Sequence, residues 1–295
     1  MESSIKRINR IRGIIHILLA AFGFAMMSFF VRLAGDLPTM EKAFFRNIVA
    51  ALVALFLLLK NGRGVRGLRI HEGCLPVLIS RSVMGTLGII CNFWAISHMA
   101  IADANILNKI SPFAAIIMSI FIIGEIPDRF EIFTVIAAFT GAAFIVKPGA
   151  GIASFPALVG LAGGICAGTA YTFVRKLGML GEKKEVIVLF FSSFSSLICL
   201  LFMIGQFEPM SLRQLLILLM AGISASVGQL NVTAAYTYAP AREISVFDYT
   251  QVLFAALLGF LFFGEIPDVG SWIGYVIIIG TAVVMWRRNL RLPQN

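Results

Sequence analysis

Ten long apolar runs, set apart by short stretches that hold most of the charge, constrain this chain more than any other feature. They fall at about residues 13–33, 41–59, 74–98, 104–123, 130–146, 156–175, 186–205, 213–238, 244–263 and 269–286. Each is close to the roughly 20 residues that an α-helix needs to cross a bilayer. In lipid every backbone N–H and C=O must find a partner inside the protein, which leaves helices and closed barrels as spanning structures. Runs this long and this uniformly apolar suit helices, not the short alternating strands of a barrel. Ten such spans in 295 residues leave no room for a separate soluble domain. That excludes a nucleotide-driven motor, a DNA-binding domain and an extramembrane enzyme. Composition agrees, with 59% hydrophobic and 13% charged residues and a mean hydropathy of +0.93.

The cations are placed unevenly. With the N-terminus inside, the cytoplasmic segments hold Lys6, Arg7, Arg10, Arg12, Lys60, Arg63, Arg66, Arg69, Arg129, Arg175, Lys176, Lys183, Lys184, Arg242, Arg287, Arg288 and Arg291. The outer segments hold Arg32, Lys42, Lys147 and Arg213, so the count is seventeen against four. The positive-inside rule then puts both termini in the cytoplasm. The same rule accounts for the net charge of +9 without nucleic acid as a partner. The four N-terminal cations ahead of the run from Gly13 to Val31 imitate a secretion signal. That run is longer than a signal's apolar core and Arg32 follows without a small-residue cleavage pattern, so it is expected to be the first span.

An internal repeat sets the architecture. Residues 124–128 and 264–268 both read Gly-Glu-Ile-Pro-Asp, 140 residues apart. At the same offset Ala95-Ile-Ser-His98 falls on Ala235-Tyr-Thr-Tyr238, Gly88 on Gly228 and Asp103 on Glu243. Near the start of each half Phe30-Val-Arg32 matches Phe173-Val-Arg175. Each half holds five spans, and an odd number forces the second copy into the membrane upside down. The fold class expected is therefore an all-α membrane protein of ten transmembrane helices in two inverted five-helix repeats, residues 1–147 and 148–295.

Spans in two five-helix copies, each ending in a helix, Gly-Glu, a short turn and a last apolar helix, resemble the drug/metabolite transporter superfamily in its EamA-type branch. The stretch from Arg81-Ser-Val-Met-Gly85-Thr through Asn92-Phe-Trp-Ala-Ile-Ser-His-Met-Ala-Ile-Ala-Asp103, then Ser111-Pro112 and Gly124-Glu125, is similar to the subgroup containing bacterial S-adenosylmethionine and riboflavin carriers. The resemblance implies a carrier whose central site is formed by the first four helices of each repeat, with the fifth helices peripheral.

Several motifs have bland readings. Gly62-Arg-Gly64-Val-Arg-Gly67 satisfies G-x-G-x-x-G, but it joins two apolar helices with no strand before it. It reads as a basic loop near anionic lipid headgroups. Cys74, Cys91, Cys166 and Cys199 lie in or beside apolar runs without CxxC spacing and act as small hydrophobes. The three histidines are too scattered for a metal site, and no cofactor is expected. Gly160, Gly164 and Gly168 form a double GxxxG that suits close helix packing, inside the bundle or at a dimer interface.

Ionisable residues inside spans are the functional candidates, because charge in hydrocarbon is costly unless it faces a cavity. Arg46 and Arg81 lie near enough to their helix ends to snorkel. Lys109 and Asp248 occupy corresponding stretches, Asn108-Lys109-Ile-Ser111 and Asp248-Tyr249-Thr-Gln251. At 1.5 Å per residue from each span's start they are expected about 15 Å apart along the membrane normal, serving separate ends of one polar path. The expected substrate contacts are Lys109, Asp248, Arg81, Asn108, Tyr249, Gln251, Trp94, Asn92, Asn105 and Tyr236. Glu125 and Glu265 end helices, where the macrodipole disfavours an anion, so each needs a basic partner. Two cross-repeat latches are expected, Arg32 with Glu265 and Arg175 with Glu125.

These features predict a secondary transporter, not an enzyme, that moves a small polar or aromatic metabolite by alternating access. Three intramembrane cations against one anion favour anionic or zwitterionic cargo, and the resemblance adds nucleotide-derived, vitamin-like or amino-acid compounds. A second transport reading is a proton-coupled exporter of cationic drugs, with Asp248 as the exchangeable carboxylate. A reading of another class, an intramembrane enzyme or receptor, lacks the clustered catalytic groups or the ligand domain it would need.

Overall fold

The computed structural model describes residues 2–60, 70–124, 126–146, 155–238 and 245–291, apart from the side chains of residues 2–10, 146, 184, 185, 233, 236–238, 245, 246 and 289–291. The order is α1 (Glu2–Leu33), α2 (Thr39–Lys60), α3 (Leu75–His98), α4 (Ile101–Asn108), α5 (Ser111–Ile122), α6 (Arg129–Val146), α7 (Phe155–Met179), α8 (Lys184–Ile204) and α9 (Leu212–Tyr238). A 3₁₀ turn (Ser245–Tyr249), α10 (Thr250–Phe263) and α11 (Val269–Arg291) complete it. Among the described residues eight helices are long and apolar enough to cross a membrane, counting Ile101–Ile122 as one, and Phe247–Phe263 is a shorter apolar helix.

Each of the ten runs becomes helical, yet the fourth and ninth are interrupted at matching places. In the fourth, Pro112 stands in the first turn of α5. Lacking an N–H and crowding the carbonyl four residues back, it stops α4 at Asn108. In the ninth, the tighter 3₁₀ turn ends at Tyr249 before α10 begins. Broken backbone at membrane depth is tolerated where protein or a polar cavity covers it.

Helix pairing follows an internal twofold. The most extensive contacts are α1 with α9 and α3 with α7, the first span of each half against the third of the other. Likewise α5 lies on α7 and α10 on α1, while α2 meets α8, α6 meets α11 and α4 meets α10. The last three pairs join equivalent spans and therefore lie on the axis. Glycines set the closest crossings in symmetric fashion. A Cβ on Gly23 would stand 2.8 Å from the backbone N of Gly228, and one on Gly163 would stand 3.3 Å from the carbonyl O of Gly88. The Gly160–Gly164–Gly168 stripe packs inward, where a Cβ on Gly164 would meet the Leu107 carbonyl at 2.4 Å and one on Gly168 the Ser111 carbonyl at 2.4 Å. That stripe cradles the break between α4 and α5.

The loops gather at two ends. At one, Arg32 donates to the carbonyls of Ile96 and Ser97, and the Glu208 N–H donates to Glu41. At the other, the His71 N–H donates to Glu182, Lys176 donates to the Ile122 carbonyl, and Arg288 makes a forked pair with Asp128. The α1–α2 loop therefore sits opposite its repeat-mate, the α7–α8 loop, as inversion requires. The Gly-Glu-Ile-Pro-Asp turns share construction. Gly124 and Gly264 end their helices at φ of +82° and +65°, the left-handed conformation that glycine adopts without strain. Asp128 and Glu131 exchange N–H bonds as a capping box, and Asp268 accepts from the Ser271 N–H.

Candidate functional site

The two breaks meet. Lys109 Nζ donates to Asp248 Oδ2 at 2.5 Å, and the Tyr249 hydroxyl donates to the Lys109 carbonyl at 3.2 Å. Gln251 donates to Asn105 Oδ1 at 2.5 Å. Ser28 of α1 donates to the same oxygen at 3.2 Å. The expected separation of about 15 Å between Lys109 and Asp248 is therefore wrong. It assumed two straight helices beginning at residues 104 and 244. Instead α4 begins at Ile101, which sinks Lys109 about 12 Å, near the mid-depth of a core about 30 Å thick. The segment before Asp248 is a 3₁₀ turn with its own rise, and α10 packs on α4.

A second polar group comes from α2, α3 and α8. Arg46, 8% exposed, donates to Asn47 Oδ1, and Asn47 donates to Ser195 Oγ at 2.8 Å. The guanidinium carbon of Arg81 lies over the Phe191 ring, 3.6 Å from its centre. Gly85 makes room for it, since a Cβ there would meet its Nη1 at 2.7 Å. Arg46 Nε and Arg81 Nε and Nη1 are buried donors with no hydrogen-bond partner among the described residues, and Asp248 Oδ1 is an acceptor in the same condition. Such groups are expensive to leave unmet.

Tyr171 joins the two groups. It is within electrostatic range of Asp248, Arg81 and Arg46. Its side chain is 56% exposed. The two groups together offer donors on Arg46 and Arg81 and an acceptor on Asp248 that are unmet among the described residues. The arrangement suits a small polar molecule, and no metal-holding group of His, Cys, Asp or Glu occurs among the described residues.

The remaining expected contacts are distributed differently. Asn108 lies at the break, its Cα close to Gly164. Asn92 is buried at the α3–α7 crossing, its Oδ1 without a partner among the described residues. Trp94 stacks on His98 at 3.9 Å and meets Phe155 edge-on at the far end of α3. The Tyr236 side chain and Glu125 lie outside the described residues, so the Arg175–Glu125 pair does as well. Arg32 Nη2 and Glu265 Oε1 stand 3.3 Å apart. Glu265 folds back over Gly259, where a Cβ would meet its Oε2 at 2.8 Å, and accepts the Ile101 N–H at 2.8 Å. The anion so leaves its own helix's C-terminus for the N-terminus of α4, the favourable end. Sequence reasoning missed Asn47 and Ser195, and it weighed Arg46 as an intramembrane charge without placing it among the expected substrate contacts. An asparagine beside an intramembrane arginine was the available signal.

The family model described as "EamA-like transporter family" matches residues 11–147 and again 154–287. The pseudopaline exporter CntI of Pseudomonas aeruginosa is 32% identical over 278 residues, covering 93% of this chain and 96% of that protein. A riboflavin transporter of Rhizobium johnstonii is 23% identical over 282 residues, covering 95% and 92%. A solved crystal structure superposes with a TM-score of 0.67 at 17% identity, over 97% of this chain and 100% of that one, a likeness of fold.

Proposed function

The chain belongs to the EamA-like transporter family, and we propose that it exports a small anionic or zwitterionic metabolite across the cytoplasmic membrane by alternating access. The two five-helix units, divided near residue 147, rock against each other about the paired breaks of their fourth helices. The observation that carries the substrate class is the pair Arg46 and Arg81, whose Nε atoms, with Arg81 Nη1, are buried donors that meet no partner among the described residues. A guanidinium that deep is retained where a ligand completes it, and a carboxylate fits its fork. Export is supported by the relative named as an exporter. Cytoplasmic termini are supported by the distribution of cations. The resident side chains that touch cargo in this reading are Arg46, Arg81, Tyr171, Asn105, Gln251, Lys109 and Asp248.

Screening the purified protein by thermal shift against small metabolites, then measuring flux of the hits in proteoliposomes, tests this. The expected hits carry a carboxylate, and Arg81→Gln and Arg46→Gln each slow their flux by about tenfold or more, one lost charge-assisted contact being worth roughly 1.5–3 kcal/mol. Hits confined to cations without a carboxylate, with flux unchanged in both variants, would instead establish the cationic-drug reading.

A further inference from the structure

Lys109 and Asp248 form the charged contact between the two breaks, one residue from each half. Lys109 takes only Asp248 Oδ2, while Oδ1 is buried without a partner among the described residues. The carboxylate is thus half used, and Tyr171 lies within electrostatic range of it. Lys109 is the cation in contact with it, and Arg46 and Arg81 add two further cations with buried, unmet donors among the described residues, so a departing lysine ammonium depends on an anion from outside the protein. We propose that Lys109 is the carrier's internal stand-in for a cationic group of the cargo. An ammonium on the cargo takes Asp248 over from Lys109, and the cargo's carboxylates answer the arginines and the freed Lys109. This deepens the transport reading and rests on it.

The exchange explains why the pair spans the two breaks. In the empty carrier it fastens α4 to the turn before α10, together with the neutral bonds Tyr249–Lys109 and Gln251–Asn105. Leaving Asp248 bare in a part-buried site is costly, so the fastening opens when a replacement donor arrives. An anion without an amine reaches the arginines but leaves the fastening shut. A zwitterion does both, so cargo selection and release of the two halves become one event. An internal competitor also weakens the apparent affinity for any amine by the fraction of time that it holds the site.

The test uses purified full-length protein and two probes, ethylammonium chloride, which has N–H donors, and tetramethylammonium chloride, which has none. Melting midpoints are recorded for the wild type, Lys109→Ala, Lys109→Met and the double variant Lys109→Met with Asp248→Asn. Ethylammonium is expected to raise the midpoint of both single variants, at a concentration at least about tenfold below that needed for the wild type. Tetramethylammonium is expected to do nothing, and the double variant to lose the effect. Equal response of wild type and single variants, no response in either, or rescue that survives in the double variant overturns the inference. Wild-type flux in proteoliposomes is scored separately. Flux without rescue removes the role of Lys109 and leaves the carrier, whereas rescue without flux removes the carrier and leaves the site.

Discussion

Two glutamates, one near the start of each half's second span, are buried and do equivalent work. Glu41 accepts the N–H of Glu208 at 2.6 Å, and Glu182 accepts the N–H of His71 at 2.9 Å. Each thereby holds the opposite half's loop between its second and third spans. Glu182 is the better satisfied, since Lys183 N–H and the His71 ring also donate to it. Burial by itself would raise its carboxyl, but those hydrogen bonds outweigh it and hold the group below the ordinary value of 4.5. A depressed carboxyl contributes stability above its unfolded value and loses it as pH falls through its folded one. Glu182→Gln is therefore expected to cost about 1–3 kcal/mol at neutral pH by aiming an amide at backbone donors. That cost is expected to shrink as acid melts of the two proteins converge from about pH 5 downward. A constant gap between the two melting curves would show that Glu182 acts by shape alone. Neither glutamate was legible beforehand, because its partner is a backbone N–H more than 100 residues away, and a backbone donor carries no residue-type signal. Arg32 and Glu265 were legible, because opposite charges at corresponding helix ends are written in side-chain identities.

At the scale of elements, the breaks in the fourth and ninth spans make the site, and glycine spacing makes the breaks fit. Gly164 and Gly168 face the carbonyls of Leu107 and Ser111 with no room for a methyl group, a Cβ on Gly160 would meet side-chain carbons at 3.3 Å and 3.4 Å, and one on Gly178 or Gly280 would have nothing within 4 Å. A graded alanine series follows. Gly164→Ala and Gly168→Ala are expected to lose about 1–3 kcal/mol through overpacking. Gly160→Ala is expected to lose less, while Gly178→Ala and Gly280→Ala gain up to about 1 kcal/mol of helix propensity. Denaturation in detergent measures all five; a uniform response would mean that backbone flexibility, not close packing, keeps these glycines. The GxxxG spacing and Pro112 were both visible in the sequence. The break before α10 was not, because no proline marks it and the apolar run continues through it. That omission turned a bonded pair, Lys109 and Asp248, into two distant charges, since a depth count along a straight helix fails once the helix is interrupted.

At the scale of the whole molecule, inversion has a direct consequence for the repeated turns. Asp128 lies at the end where Arg288 and the α11 terminus sit, and Glu265 lies at the end where Arg32 leaves α1. Single cysteines at Asp128 and Asp268, in a background with the four native cysteines replaced by alanine, should be labelled by an impermeant reagent from opposite sides of the membrane. Equal labelling from outside would remove the inverted repeat as this chain's topology.

With both termini inside, as proposed, the Arg32–Glu265 pair lies on the outer face, and its partners suggest what it controls. Arg32 takes the carbonyls that end α3, and Glu265 takes the N–H that opens α4. The pair therefore clamps the elbow between those helices to the loop before α11, bridging the two halves on one side. The side chains are 28% and 13% exposed, enough shielding for a charge-assisted contact to count for more than a surface pair. If the clamp holds the outer side shut, removing it should favour the outward-open carrier by about 1.4 kcal/mol, a tenfold change in population. Ser28, fully buried between α1 and α4, supplies the reporter. Ser28→Cys should react with an impermeant maleimide about tenfold faster from outside when Arg32→Gln or Glu265→Gln is added. Exchanging the two charges, Arg32→Glu with Glu265→Arg, should restore the slow rate in part, because the pair re-forms while the caps on α3 and α4 are lost. Slow labelling in all variants would mean that the pair only stabilises the elbow, and the outer closure would then rest on the aromatic packing of Phe29 against Phe262 and Phe263.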